Sequence, residues 1–386
     1  MSLVFMQLSD LHLGARLVNL PGEVAEQLRN TTRELVVEAF ARARAENVDL
    51  ILMPGDLYEH NGIDAGGQLH FIYELAASMA PTPVVITPGN HDPYSLESPY
   101  ATIAAPRNVT LFTNNEFTIV NTEACPVAGR AFRSGEYGSM IDWSSLPAAP
   151  GGPSVLMMHA SVMNAGDGRL RESVMLPVTT TALEQCGFSY CALGHYHTFQ
   201  QFSRQSDGPS YAAYSGCVQG LGWDETGTRG FVMGKLREVG ADLEWIQTSR
   251  HSWQRHPLQL PPWQGGESWL RLDQRLESIG SQIGERDLLR LDIRGRWPAT
   301  EKEGLRERIN GLLRRAWYAT DIDWSETAFT PPLAPRGVSP LLDEFLDNCE
   351  KQIDDSSEEG IKEAWRLARY LGHRLLSGQG LPEELV

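Results

Sequence analysis

Short, almost purely apolar runs recur through residues 1–255, and each stops at a loop rich in Gly, Asp, Asn or His. LVFMQL from Leu3, DLILM from Asp49, PVVIT from Pro83, SVLMM from Ser154 and YCAL from Tyr190 are the clearest. A strand without polar alternation is buried on both faces, so these runs predict central strands of an α/β sheet. Between the first two, Glu23 to Asn47 repeats apolar residues at helical spacing, which predicts a helix with Val24, Leu28, Leu35, Val36 and Phe40 inward. From Tyr211 the texture changes to glycine-punctuated segments such as GFVMGKL and ADLEWIQ, which predict antiparallel strands. The expected architecture is α/β with a mixed or two-layered sheet.

Two Pro/Gly-rich stretches, His256 to Ser268 and Thr330 to Pro340, mark boundaries. They divide the chain into residues 1–255, an accessory domain over 256–335 and a helical segment over 336–386. In the accessory part Leu289, Leu291 and Ile293 alternate with Arg290, Asp292 and Arg294; a helix with Leu305, Ile309, Leu312 and Trp317 follows, and Ile322 and Trp324 alternate again, giving β-α-β. After Pro340 the chain is helical, with an apolar face of Ile361, Trp365, Ala368, Leu371 and Leu375 and a break at DDSSEEG from Asp354.

The loops after the five runs carry one kind of chemistry. SDLHLG brings Asp10 and His12, PGDLYEH brings Asp56, PGNHD brings Asn90 and His91, SVLMM is followed by His159, and GHYH brings His195 and His197. Parallel strands deliver such loops to one edge of a sheet, where ligands of open α/β folds bind. Imidazole nitrogens with Asp and Asn oxygens, and no thiolate, suit manganese, iron or zinc. The donors are too many for one ion; with Asp56 bridging, two ions would each take about four, at the ~3.5–4 Å spacing used for in-line displacement.

The formal charge of −16 argues against holding a polyanion by bulk attraction. Two divalent ions with Asp10 and Asp56 would instead make a local positive pit. Nearly all the basic residues are arginine, and Arg16, Arg130, Arg133, Arg169 and Arg171 fall in loops from which a guanidinium could reach a phosphate. Five cysteines with no CxxC pair suggest neither a disulfide framework nor a zinc ribbon and fit a reducing cytoplasmic compartment. The first apolar run is too short for a signal peptide, and no stretch approaches the ~20 apolar residues of a membrane span.

The series SDLHLG, GDLYE, GNHD, a lone His and GHYH resembles the calcineurin-like metallophosphoesterases, and within them the SbcD-type DNA repair nucleases. YSGCVQGLGWDETGTRGF from Tyr214 is similar to the YhaO-like bacterial branch, with Cys217 where a polar residue is usual. The resemblance implies a two-sheet phosphoesterase domain, a capping domain and a helical tail. It implies one ion on Asp10, His12, Asp56 and His197, the other on Asp56, Asn90, His159 and His195, with His91 free as a catalytic acid. Manganese is the expected metal, with iron or zinc as alternatives.

Archaeal and eukaryotic relatives carry His three residues after the bridging Asp. This chain has Glu59, expected to pair with His91 and orient it. The implied function is a DNA exonuclease or endonuclease subunit acting with an SMC-like coiled-coil ATPase; a homodimer is also consistent with the pattern. The alternatives are a phosphodiesterase or phosphatase for nucleotides or small phosphorylated metabolites, and a metal-stabilised scaffold without turnover.

Overall fold

In chain order the strands of the amino-terminal part are β1 (Leu3–Gln7), β2 (Leu50–Pro54), β3 (Val84–Thr87), β4 (Val109–Leu111), β5 (Thr118–Asn121), β6 (Pro126–Gly129), β7 (Val155–His159), β8 (Val162–Met163), β9 (Val178–Thr179), β10 (Tyr190–Gly194), β11 (Gln200–Ser203), β12 (Ser210–Tyr214), β13 (Gly230–Leu236) and β14 (Ala241–Gln247). Helices α1 (Gly22–Ala45), α2 (Ala65–Ala77), α3 (Pro99–Thr102) and α4 (Thr180–Gln185) lie between them. This computed structural model describes residues 3–136, 141–163, 175–205, 208–319, 323–330 and 339–377. The chain divides into two compact units, Met1–Gln254 with Arg286–Leu288 and Arg255–Glu285 with Leu289–Val386.

Twelve strands of the first unit form one sheet, in the order β4-β3-β2-β1-β13-β14-β12-β10-β7-β6-β5 with β11 on β12. Strands β1 to β4 are mutually parallel, as are β6, β7, β10 and β12, whereas β13 pairs antiparallel with both β1 and β14. The sheet folds back on itself, so that β2 packs against β7 and β10. Phe5, Leu50, Leu52 and Val85 from one layer meet Val155, Met157, Tyr190 and Ala192 from the other. The runs lack polar alternation for this reason: each strand is covered on one face by the opposite layer and on the other by helices or loops.

Gln7, the polar residue in the first run, is buried between the layers. Its Nε2 donates to Leu193 O and Ala213 O, both at 3.0 Å, and its Oε1 accepts from Tyr190 OH at 2.6 Å. A buried amide survives only with such partners, and here it ties β1 to β10 and β12. Helix α1 buries Leu28, Leu35, Val36 and Phe40 as expected, but Ala25 takes the inward position and Val24 is only half-buried.

The second unit has a four-stranded sheet in which β15 (Trp253–Gln259) is an edge and β16 (Leu288–Pro298) pairs with it; β17 (Tyr318–Ala319) and β18 (Asp323–Thr330) complete it, β18 running parallel to β16. Helices α5 (Gly266–Gly280) and α6 (Lys302–Leu313) supply Leu272, Leu305 and Ile309 to a core with Leu258, Leu289, Leu291, Ile293 and Trp297. The stretch from His256 to Ser268 is therefore more than a connector, since it holds most of β15 and the start of α5. Pro257 is tolerated there because β15 is an edge strand, whose outward positions need no ladder hydrogen bond. Ile322 of the expected β-α-β pattern lies outside the described residues. Helices α7 (Pro340–Asp355) and α8 (Glu359–Leu376) pack on each other, broken where DDSSEEG predicts. Trp365, Ala368 and Leu371 are half-buried, whereas Ile361 and Leu375 are exposed.

Candidate metal centre

The fold brings the five loops to one place because the carboxyl ends of β1 to β3 face those of β7 and β10. Close backbone approach holds them there. A Cβ on Gly194, at the end of β10, would sit 1.8 Å from Pro54 O, and one on Gly55 would sit 2.5 Å from His159 Nδ1. Only glycine allows either contact, and Gly55 also takes φ +90°. Asp10 N donates to Gly55 O and His12 N to Asp56 O, both at 3.0 Å, which aligns the first two loops.

Asp10, His12, Asp56 and His195 all have positive φ (55°, 46°, 53° and 115°). Non-glycine residues rarely adopt such a backbone, at ~1–3 kcal/mol each, and it persists where the surroundings over-determine it. Here they do. His91 N donates to Asp56 Oδ1 at 2.7 Å and His195 N to Asp10 Oδ1 at 2.9 Å, while Ser9 Oγ donates to Asp10 Oδ2 at 2.5 Å.

The imidazoles are fixed by their outer nitrogens. His159 Nδ1 donates to Pro54 O at 2.9 Å, His12 Nδ1 to Glu59 Oε1 at 2.8 Å and His197 Nδ1 to Glu225 Oε1 at 2.7 Å. A carbonyl or carboxylate only accepts, so in each neutral ring the proton is on Nδ1 and the Nε2 lone pair points inward. There the lone pairs meet other acceptors. His12 Nε2 and His197 Nε2 are 3.0 Å apart, and His159 Nε2 is 2.9 Å from Asn90 Oδ1 and 3.2 Å from Asp56 Oδ2.

Electron pairs crowded in this way call for positive charge at their centre. Both aspartates are buried: Asp56 pairs with His12 and His159, Asp10 accepts from Ser9 Oγ and His195 N, and among the described residues neither has a lysine or arginine as ion-pair partner. Burial alone would lower His159 and His197, yet both are pushed up to about 9, His159 by Asp56 and Asp10, His197 by Glu225 and then Asp10 and Asp56. His195, by contrast, is driven down to about 3 by burial and by His159. The donor set fits divalent ions: the groupings Asp10-His12-His197 and Asp10-Asp56-His159 each place ligand atoms within 4.8 Å of one another. His195 lies edge-on to His159, with ring centroids 5.4 Å apart.

A family model described as calcineurin-like phosphoesterase matches residues 3–199. The chain belongs to the calcineurin-like phosphoesterase family. Metal-dependent phosphoester hydrolysis with dinuclear divalent ions is the chemistry of that family, and the fold is its mixed α/β fold with a curled sheet. The uncharacterized metallophosphoesterase YhaO of Bacillus subtilis (strain 168) is 24% identical over 332 residues, which cover 81% of this chain and 75% of that protein. Among solved structures, a protein of Thermus thermophilus has a TM-score of 0.36 at 13% identity over 64% of this chain and 99% of its own. A dimetal phosphatase from Danio rerio has a TM-score of 0.37 at 13% identity over 62% and 98%. A purple acid phosphatase from yellow lupin (Lupinus luteus) seeds has 0.37 at 11% identity over 64% and 52%.

The remaining expected site residues fall into place unevenly. Glu59 lies 3.1 Å from His91 Nδ1 through Oε2 while its other oxygen holds His12, so one carboxylate ties both rings. Opposed by burial, these hydrogen bonds to His12 and His91 bring Glu59 down to about 2, and the same bond raises His91. Arg16 is exposed with Nε on Asn61 O at 2.9 Å. Arg133 is half-buried above Tyr94, beside the loop of Asn90 and His91. Arg130 is a correction: only 5% exposed, it is spent on Asn115 O and Glu136 and presents no fork to a phosphate. Arg169 and Arg171 lie outside the described residues.

Three residues were missed from the sequence. Asp92, fully buried, accepts from Asp56 N, Leu57 N, Gly89 N and Tyr100 OH at 3.0, 2.8, 2.6 and 2.7 Å, clamping the loops after β2 and β3 together; burial and then Asp56 raise it to about 6. Glu225 orients His197 and accepts from Leu221 N at 2.9 Å. Tyr196, 40% exposed, has its ring centroid 5.1 Å from that of His195 and 5.0 Å, edge-on, from that of Tyr214. Asp92 and Tyr196 lie inside the short motifs GNHD and GHYH, whereas Glu225 sits in a long glycine-punctuated stretch with nothing to mark its role.

Proposed function

We propose that this phosphoesterase is a nuclease that cleaves phosphodiester bonds of DNA. The observation that carries the reading is the Glu59–His91 pair: His91 is 47% exposed at the rim of the donor cluster and is hydrogen-bonded at Nδ1 by a carboxylate on its inner side. In a nucleic-acid diester the departing group is a sugar alkoxide, a poor leaving group that needs a proton. An imidazolium held by Glu59 presents Nε2–H to supply one. Tyr196 at the same rim offers a flat face for an unstacked base, and Arg16 and Arg133 are the basic side chains best placed to touch flanking phosphates.

In this reading Asp10, His12, Asp56 and His197 hold one divalent ion and Asp56, Asn90, His159 and His195 the other, with manganese the expected metal. When bound, the ions supply Lewis-acid polarisation of the phosphoryl oxygens and a nucleophilic solvent at neutral pH. The chain's own contribution is to place the donors, keep His91 in register and protonate the leaving oxygen from its Nε2. An SMC-like ATPase as partner of the second unit, with its helices α7 and α8, completes the proposal, as does a cytoplasmic setting; among the described residues no helix is long and apolar enough to cross a membrane. The net charge of −16 favours a second reading, a phosphodiesterase for nucleotides or other small diesters.

Hydrolysis of linear double-stranded DNA, single-stranded DNA and bis-p-nitrophenyl phosphate with manganese separates the two, each against His91→Asn. The nuclease reading expects cleavage of at least one DNA, affinity that falls steeply with salt, and loss of turnover in His91→Asn with metal retained. Turnover of the small diester alone would replace it with the second reading.

A further inference from the structure

Away from the metal centre two thiols face each other. Cys186 follows the last residue of α4 and Cys191 lies within β10, with their Sγ atoms 3.6 Å apart. A disulfide needs ~2.05 Å between the sulfurs, so closing the gap takes a movement of only ~1.5 Å. The chain at Cys186 can supply it: α4 is a six-residue helix, Cys186 is its half-buried cap residue, and Gly187 turns the chain at φ +84°. Cys191 is fixed in the buried strand.

The two sulfurs differ in character. The hydrogen-bonding contact between the two sulfurs holds the Cys186 thiol below its ordinary range, with help from the Phe188 N–H and from Arg204. Arg204 is anchored beside the helix end, its Nε on Glu184 Oε1 at 2.9 Å and Nη2 on Glu184 O at 3.0 Å. That same hydrogen bond and then burial push Cys191 up, so it keeps its proton. A half-buried thiol whose deprotonation is favoured, in contact with a second thiol that holds its proton, is the arrangement of an attacking and a resolving cysteine. Cys217, buried behind the metal donors, faces His197 O and Glu225 Oε2 instead.

We propose that Cys186 and Cys191 form a peroxide-reactive dithiol, a covalent modification site separate from the metal centre. Cys186, its thiol proton released, attacks one oxygen of a peroxide, forming an S–O bond as the O–O bond breaks; the other oxygen takes up that proton and leaves as water or an alcohol. Cys191 Sγ then attacks Cys186 Sγ; the S–S bond forms, the S–O bond breaks, and the expelled hydroxide leaves as water with the Cys191 proton. Two electrons pass from the dithiol to the peroxide. The product fastens the end of α4 to β10, the strand that ends at Gly194 just before His195, and a reducing thiol reverses it by exchange.

The test uses the reduced full chain, treated with stoichiometric hydrogen peroxide, then denatured, alkylated and digested with trypsin. Residues 172–204 contain no internal lysine or arginine, so one peptide carries both cysteines. The expected result is that this peptide loses the mass of two hydrogens and resists alkylation, that Cys125, Cys217 and Cys349 alkylate fully, and that dithiothreitol restores the starting mass. In Cys191→Ala, Cys186 should instead accumulate as a sulfenic acid trapped by dimedone. Full alkylation of both cysteines after peroxide would overturn the proposal, as would sulfinic acid at Cys186 beside a Cys191 that still alkylates in the wild-type chain.

Discussion

In the first unit Asp10 and Asp56 are buried among imidazoles, with no guanidinium paired to them among the described residues, whereas in the second unit Asp292 meets Arg255 and Arg290, and Asp323 meets Arg290, near the surface. Both regions place acidic residues on or just after strands of a sheet. The difference lies in what neutralises them. Solvent-reaching pairs such as those of the second unit contribute ~0–1 kcal/mol each. A buried carboxylate without a fixed cation is costly, and in the first unit only protonated imidazoles or ions from outside the chain can offset it.

The comparison can be broken most sharply at Asp56. Asp56→Asn removes the carboxylate common to both proposed ligand sets, and phosphodiester hydrolysis should fall by roughly 1,000-fold or more, the scale on which a transition-state electrostatic partner is felt. Calorimetric titration should show manganese binding lost together with it; retention of both would mean that the buried charge has another use. Next in size is Trp297→Ala in the second unit, where the indole is fully buried and its Nε1 donates to Pro261 O at 2.8 Å. A loss of ~3–5 kcal/mol in the denaturant midpoint analysis is expected, with manganese affinity unchanged, which would separate stability from site formation.

Glu225→Gln probes the boundary between the two kinds of carboxylate, since Glu225 is nearly buried yet partnered by His197. The variant keeps an acceptor for Leu221 N but weakens the hold on His197 Nδ1, and manganese affinity should drop ~10- to 100-fold by titration. An unchanged affinity would show that His197 does not rely on this carboxylate. The smallest effect is expected from Asp292→Asn. Burial opposes the charge of Asp292, but Arg255 and Arg290 outweigh it and lower its pKa. A depressed carboxylate stabilises the fold above its unfolded-state pKa and loses that contribution as pH falls through the folded-state value. At neutral pH the variant should therefore cost less than ~1 kcal/mol in thermal unfolding, and the difference from wild type should vanish in strong acid.

The site was more legible in the sequence than the residues that support it. Asp10, His12, Asp56, Asn90, His159, His195 and His197 each stand directly after an apolar run, so strand geometry alone predicts their convergence. Glu225 is 28 residues from His197 in a glycine-punctuated stretch, and nothing local marks it as that ring's partner. Asp92 looks like an ordinary turn residue until the N–H groups of Asp56, Leu57 and Gly89 are seen to point at it. Arg130 and Arg133 share one short motif, and only packing against Glu136 distinguishes the buried arginine from the half-exposed one. In the second unit, proline and glycine concealed β15 and α5, because an edge strand and a helix start are the places where those residues do no harm.

The folding back of the sheet has a further consequence for how this molecule holds itself together. Donors from Asp10 and His12 on one layer and His197 on the other are joined, in the chain, only through a long excursion over every intervening strand. An ion shared between them would act as a removable cross-link closing a very long loop of chain. Metal occupancy would then set how long the two layers stay together, so chelation should expose the interlayer face to hydrogen exchange before the helices outside it.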